Sequence, residues 1–82
     1  MTEQEVAEQA RAMLARRVKV NPSLISPETS IEELGVDSLD LVTLAGEFEE
    51  TFSISIATKE LMAIRTFGDI VSQLSSKVGA AA

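Results

Sequence analysis

The spacing of apolar residues divides the chain into helical segments joined by polar connections. In residues 3–18, apolar positions recur every three or four residues, which predicts an amphipathic helix. Thr2 and Glu5 predict a capping box at its start, and Arg16 and Arg17 suit the negative end of its dipole. The predicted core face comprises Val6, Ala7, Ala10, Met13, Leu14 and Val18.

The second predicted helix has Asp37 as its N-cap and Asp40 at its third position, and it ends near Phe52. At about 100° per residue, its apolar residues separate into two groups. One group is a core stripe of Leu41, Leu44, Ala45, Phe48 and Phe52. The other group lies off this stripe, beside Glu49 and Glu50, and comprises Leu39, Val42 and Gly46. Packing against the core does not explain this second group.

Two further helices are predicted after residue 57. A short third helix covers 58–64, with Leu61, Met62 and Ile64 expected to face inward. The fourth helix starts with Thr66 as cap and Asp69 at its third position, and Gly79 ends it. Its stripe is Phe67, Ile70, Val71, Leu74 and Val78. We expect residues 79–82 to form a frayed tail.

The connections complete the predicted fold. Residues 21–30 contain two prolines and predict a stiff loop, which Leu24, Ile25 and Ile31 are expected to pin to the core. The segment "SISI" alternates like a strand but has no partner strand, so we expect an extended connector. The prediction is a single all-α domain over residues 1–82. It is a four-helix bundle of three main helices and a short third, with a long loop between helices 1 and 2.

Composition narrows the possible functions. The chain has no Cys and no His, which removes thiolate metal sites, the commonest general base and the commonest metal ligand. We therefore expect no metal site and no enzyme activity from this chain alone. No apolar run is long enough for a membrane span, and no secretory signal is evident. A soluble, cytoplasmic, monomeric helper protein is expected.

Charge is concentrated in the middle of the chain. Residues 21–58 hold eight Asp and Glu and no Lys or Arg, whereas the flanking segments 1–20 and 59–82 each have a net charge of +1. One interpretation is a solvated acidic face that maintains solubility. The interpretation we favour is a docking surface for basic protein partners. Nucleic acid is disfavoured as a partner.

The segment "LGVDSLDLV", residues 34–42, places Ser38 between two aspartates. A serine at a helix start is ordinary capping chemistry, but Asp37 already supplies the predicted cap. A hydrolase is excluded because there is no His, Lys59 is remote, and the glycines of a nucleophile elbow are missing. The spacing of the aspartates does not match an EF-hand loop. Ser38 is therefore interpreted as the substrate of another enzyme.

This segment, together with "EFEETFSISI" and "TFGDIV", resembles the acyl carrier proteins over about residues 29–71. The resemblance implies that Ser38, between Asp37 and Leu39, carries a 4′-phosphopantetheine arm. A phosphopantetheinyl transferase would attach the arm from coenzyme A with Mg²⁺. The arm would hold acyl groups as thioesters for ketosynthases, acyltransferases and other synthase enzymes with basic docking patches. Its thiol and those partners would explain why the chain needs neither Cys nor His.

The resemblance also implies two sets of site residues. The partner-binding set is Asp37, Leu39, Asp40, Val42, Gly46, Glu49 and Glu50. The second set would line an acyl cavity between helices 2 and 3, and it comprises Leu41, Leu44, Phe48, Ile56, Leu61 and Ile64. Plain core packing is the alternative interpretation of this second set.

Some positions depart from the pattern of many fatty-acid carriers. Thr43 stands where Glu is common, Gly46 where a large apolar residue is common, and Ala57 where Pro is common. The loop before Leu34 is also one residue shorter. These departures favour a free-standing carrier for a specialised pathway, such as polyketide, aryl-polyene or modified-lipid synthesis. Housekeeping fatty-acid synthesis remains an alternative.

Two other functions are weighed against the acyl carrier. A peptidyl carrier is less favoured, because such carriers are usually less acidic along helix 2. A small acidic interaction module without a prosthetic group, in which Ser38 is only a cap, is the alternative from a different class.

Overall fold

The computed structural model describes residues 1–79, which form a bundle of α-helices without a β-strand. The helices are α1 (Glu3–Val18), α2 (Ser38–Phe52), α3 (Thr58–Met62) and α4 (Phe67–Val78), and a 3₁₀ turn spans Pro22–Leu24. The predicted all-α bundle with a short third helix and a long first connection is confirmed. Of the predicted frayed tail, Gly79 is the C-cap of α4, and residues 80–82 lie outside the described residues.

Each main helix begins with a reciprocal capping box, as the sequence predicts. The pairs are Thr2 with Glu5, Asp37 with Asp40, and Thr66 with Asp69. In α3 only one of the two capping-box hydrogen bonds is present. Glu60 Oε1 accepts from the Ala57 N–H at 2.9 Å, but the Ala57 side chain has no acceptor to return the bond. These caps satisfy backbone N–H groups that have no partner within the helix. They fix where each helix begins.

The long first connection is tied to the bundle at several points. Arg11 donates from Nε to the carbonyl of Ile25 at 2.9 Å, and its guanidinium lies 5.0 Å from the ring centroid of Phe67. The N–H of Ile31 donates to the carbonyl of Arg65 at 3.0 Å. This loop is therefore a structural part of the domain, as the sequence predicts.

One mostly aliphatic core, which also contains the three Phe side chains, joins all four helices of residues 1–79. Its largest fully buried side chains are Phe67, Leu14, Leu44, Ile70, Leu74 and Val6. Ile25 and Ile31 are buried as predicted, but Leu24 is 69% exposed, so its expected anchoring role is wrong. Leu24 ends the 3₁₀ turn, and the chain direction there turns Ile25 inward instead.

The third helix is shorter than predicted. It ends at Met62 and not at Ile64, and it buries Leu61 alone. Met62 is 55% exposed, so the prediction that it faces inward is wrong. Neighbouring helical residues point about 100° apart, and a helix of little more than one turn cannot bury both. Ile64, after the helix end, packs partly buried against the core.

The helices of residues 1–79 include none that is both long and apolar enough to cross a membrane.

Candidate functional site

Ser38 is the first residue of α2, and its side chain is exposed. Asp37 Oδ1 accepts from the Asp40 N–H at 2.8 Å, and Asp40 Oδ2 accepts from the Asp37 N–H at 3.4 Å. The cap of α2 is thus complete without the serine. Among the described residues, no group hydrogen-bonds the Ser38 hydroxyl, which leaves it free to react.

The turn before α2 holds Ser38 at the surface. Gly35 has a φ of 87°, a left-handed conformation that favours glycine. The chain then buries Val36, whose N–H donates to the carbonyl of Ile31 at 3.3 Å. Leu41, one turn into the helix, is also buried. With anchors on both sides, Asp37 and Ser38 have little freedom to move inward.

Beside Ser38 lies an exposed uncharged surface, which we call the α2 patch: Leu39, Val42 and Gly46. Leu39 is 72% exposed and Val42 is 52% exposed. A Cβ added to Gly46 would meet no heavy atom within 4 Å outside its own helix turn. The three residues that the sequence predicted to lie outside the core stripe of α2 are therefore exposed in the structure.

The acidic residues of α2 do not form one uniform surface. Arg17 of α1 donates to Asp40 Oδ1 at 3.1 Å. This guanidinium, with the backbone N–H of Asp37, lowers the pKa of the Asp40 carboxyl. Glu47 and Glu50 line the same α1–α2 groove as Arg17. The acidic segment therefore has Arg17 beside it in the structure, although the segment itself contains no Lys or Arg. Glu47 was not among the predicted site residues.

Glu49 and Glu50, predicted together, have different surroundings. Glu50 is exposed, and within residues 1–79 it forms no salt bridge. Glu49 is half-buried, and its Oε2 accepts from the Ile56 N–H at 2.8 Å. Glu49 thus holds the connector between α2 and α3. Sequence reasoning had no signal for this bond, because it depends on the path of the connector.

The start of α2 fits a phosphate-linked prosthetic group. A helix N-terminus carries free N–H groups and a positive dipole end, which favour the negative charge of a phosphodiester. The neighbouring carboxylates of Asp37 and Asp40 already accept hydrogen bonds in the cap and the ion pair. Within residues 1–79, no cluster of three or more His, Cys, Asp or Glu is arranged to hold a metal ion.

The six residues predicted to line an acyl cavity all belong to the core region. Leu41, Leu44, Phe48 and Leu61 are buried, and Ile56 and Ile64 pack against them partly buried. A groove between α1 and α2 and another between α1 and α4 lie on other faces, and neither is lined by these six residues. In the structure these six residues pack α2 against the connector and α3.

Residues 8–74 match the family model described as phosphopantetheine attachment site. The chain is 35% identical over 77 residues to the acyl carrier protein of Thermotoga maritima, covering 93% of this chain and 95% of that protein. It is also 35% identical over 81 residues to the acyl carrier protein of Thermosynechococcus vestitus, covering 98% of this chain and all of that one. It is 33% identical to acyl carrier protein 2 of Ralstonia nicotianae, again over 98% of this chain and all of the relative.

The fold is similar to a crystal structure of an acyl carrier protein from Thermotoga maritima. The TM-score is 0.82 at 23% identity, covering 96% of this chain and 93% of that one. Sequence and fold therefore agree across nearly the whole chain. The chain belongs to the acyl carrier proteins, the phosphopantetheine-bearing family that carries acyl groups as thioesters.

Proposed function

We propose that Ser38 is the residue that carries the phosphopantetheine arm of this acyl carrier protein. The observation that carries this proposal is the exposed serine hydroxyl at the positive end of α2, which takes no part in the cap. Asp37 does the capping, so a structural role leaves Ser38 unexplained. The match to the phosphopantetheine attachment family over residues 8–74 includes this position.

The attachment reaction needs one nucleophile from this chain. Ser38 Oγ forms a bond to the pantetheine-bearing phosphorus of the coenzyme A pyrophosphate. The bond from that phosphorus to the bridging oxygen breaks, and adenosine 3′,5′-bisphosphate leaves with this oxygen. The serine proton passes to a base of the transferase, because the chain has no His and the aspartates on either side accept backbone bonds. The start of α2 then stabilises the new phosphodiester. When bound, the arm supplies the thiol that forms the acyl thioester.

Partner enzymes are proposed to dock on the outer surface of α2. A phosphopantetheinyl transferase, ketosynthases, acyltransferases and other synthase enzymes would bring basic patches, attracted by the exposed acids Asp37 and Glu50. The α2 patch would lie at the centre of this contact. The partners would supply all catalysis, and this chain would act as a carrier in the cytoplasm.

The acyl chain is proposed to lie between α2 and α3. Support comes from the weak attachment of α3, which buries one leucine and is otherwise held by polar contacts. An apolar acyl chain that replaced solvent there would gain about 0.8 kcal/mol per buried methylene.

The pathway is proposed to be a dedicated polyketide or lipid pathway. The uncharged residues Thr43 and Gly46 on α2 support this, because partner enzymes of such a pathway would be complementary to that surface.

The test of the proposed site is a set of serine variants. Wild type, Ser38→Ala and the control Ser76→Ala, at an exposed serine of α4, are incubated with coenzyme A, Mg²⁺ and a broad-specificity phosphopantetheinyl transferase. Intact mass should rise by one phosphopantetheine group in wild type and in Ser76→Ala, and not in Ser38→Ala. Circular dichroism should show the same helix content in all three, because Asp37 still caps α2. Modification of Ser38→Ala, or none in wild type, would overturn the assignment.

A further inference from the structure

Glu49 makes a contact that a residue of a purely external docking face would not make. Its carboxylate lies on α2, yet it accepts a 2.8 Å hydrogen bond from the backbone N–H of Ile56, seven residues later. The bond spans the connector between α2 and α3. It is half-buried, so water replaces it less readily than at the surface.

This bond fixes the position of α3. Ile56 packs against the core, and α3 begins two residues later at Thr58. From α4, α3 is held at its middle residue by Gln73 Nε2, which donates to the Glu60 carbonyl at 2.7 Å, and by the Lys77–Glu60 ion pair at 2.8 Å. With one buried leucine in α3, these polar ties carry much of its attachment.

Glu49 also lies on the same flank of α2 as the proposed attachment residue. At about 100° per residue, Ser38, Val42 and Glu49 fall within about 40° of one another around the helix. Glu49 lies about 16 Å further along the axis than Ser38. A partner that docks over Ser38 and Val42 therefore extends towards the connector tie.

We propose that Glu49 is a positioning residue that ties the connector to α2, and that a cationic group of a docked partner competes for its carboxylate and loosens α3. A Lys or Arg that draws the carboxylate outward, away from the connector, would lengthen the bond from the Ile56 N–H to Glu49 Oε2. Docking would thereby open the α2–α3 region where the acyl chain is proposed to lie. The coupling to partners rests on the proposed function, but the tie itself does not.

Amide hydrogen exchange at Ile56 measures the tie in the unmodified protein. Glu49→Ala removes the acceptor and should speed exchange at Ile56 by about ten-fold. Glu49→Gln keeps an acceptor oxygen and should retain most of the protection. Glu50→Gln, which removes the neighbouring exposed charge, should leave Ile56 unchanged. The N–H of Ile31, bonded to the Arg65 carbonyl at 3.0 Å, reports on global opening and should not change in any variant.

A hexalysine peptide at low salt then tests the competition. It should speed exchange at Ile56 in wild type and in Glu50→Gln, but not in Glu49→Gln, because that variant has no charge at position 49 for a lysine to pair with. A structural role alone would leave Ile56 insensitive to the peptide in every variant. The proposal is overturned if Glu49→Ala leaves Ile56 protected, if Ile31 changes in parallel, or if hexalysine has no effect in wild type. Because Ser38 is unmodified throughout, these outcomes are independent of the attachment assignment.

Discussion

At the scale of single residues, two helical glycines give opposite predictions for the same substitution. A Cβ on Gly46 would meet no heavy atom within 4 Å outside its own helix turn, whereas a Cβ on Gly68 would lie 2.9 Å from the Pro27 carbonyl oxygen. Glycine inside a helix is about 1 kcal/mol less favourable than alanine. Gly46→Ala should therefore raise the free energy of unfolding by about 1 kcal/mol. Gly68→Ala should lower it, because the contact is with backbone. Urea unfolding measures both.

The same Gly46→Ala variant separates stability from function. Nothing within the chain requires glycine there, so a close approach of a partner would be its reason. The more stable variant should then show a lower kcat/KM as a substrate of the transferase or a synthase enzyme. Thr51→Ala is the control, since it replaces an exposed residue on the α1–α2 groove with a better helix former. Equal kcat/KM values for both variants would remove Gly46 from the partner face.

How far the candidate site could be read from the sequence depends on how local each contact is. The Asp37–Asp40 cap was predictable, because capping links residues three positions apart, and this cap places Ser38 at the start of α2. The bond from Ile56 to Glu49 was not, because it requires the connector to return to α2. The apolar residues at positions 39 and 42 were correctly identified as lying off the core face by helical periodicity alone.

At the scale of helices, an acid sits at the third position of every helix in residues 1–79. These four acids are Glu5, Asp40, Glu60 and Asp69, and in each the pKa of the carboxyl is lowered. In two of them the first cause is a backbone N–H at the helix start, and in the other two it is the side chain of Arg17 or Lys77. Helix capping is therefore linked to carboxylate ionisation.

The stability of the start of α4 should consequently depend on pH. The N–H groups of Arg65 and Thr66 donate to Asp69 Oδ2 at 2.9 and 3.1 Å and lower its pKa. A lowered pKa stabilises the fold above the unfolded value near pH 4, and the contribution is lost as pH falls through the folded pKa. Asp69→Asn should be less stable than wild type at about pH 6, and the difference should shrink below about pH 4. Melting temperatures across this range test it, and a difference that stays constant with pH would contradict the linkage.

Helix starts were predicted more accurately than the short helix and its surroundings. Each cap of α1, α2 and α4 is formed by residues within a stretch of four, so it can be recognised directly in the sequence. The end of α3 has no such local signal, and the contacts that hold α3 at Glu60 come from Gln73 and Lys77, which are distant in the sequence. Leu24 was misplaced for a similar reason, since the direction of the loop decides which of two adjacent apolar residues is buried.

At the scale of the whole molecule, the fold changes the meaning of the charge pattern. Along the sequence the acidic segment 21–58 contains no cation, which predicts strong self-repulsion. In the structure Arg17, 23 positions before Asp40, pairs with it, and Arg16 lines the same groove. The repulsion is therefore partly offset on the α1 side. It remains at the exposed acids Asp37 and Glu50, which have no salt-bridge partner among the described residues.

This arrangement predicts how stability responds to salt. At about 0.01 M salt the screening length is about 30 Å, and at about 0.15 M it is about 8 Å. Wild type should melt at a higher temperature in the higher salt, because screening relieves the remaining repulsion. Arg17→Gln should melt lower than wild type at low salt and gain more from added salt, since Asp40 loses its counter-ion. Lys59→Gln makes the same change in net charge at an exposed residue of α3 that forms no salt bridge among the described residues. If net charge alone governed stability, the two variants would respond to salt equally, and the cross-groove pairing would have no measurable role.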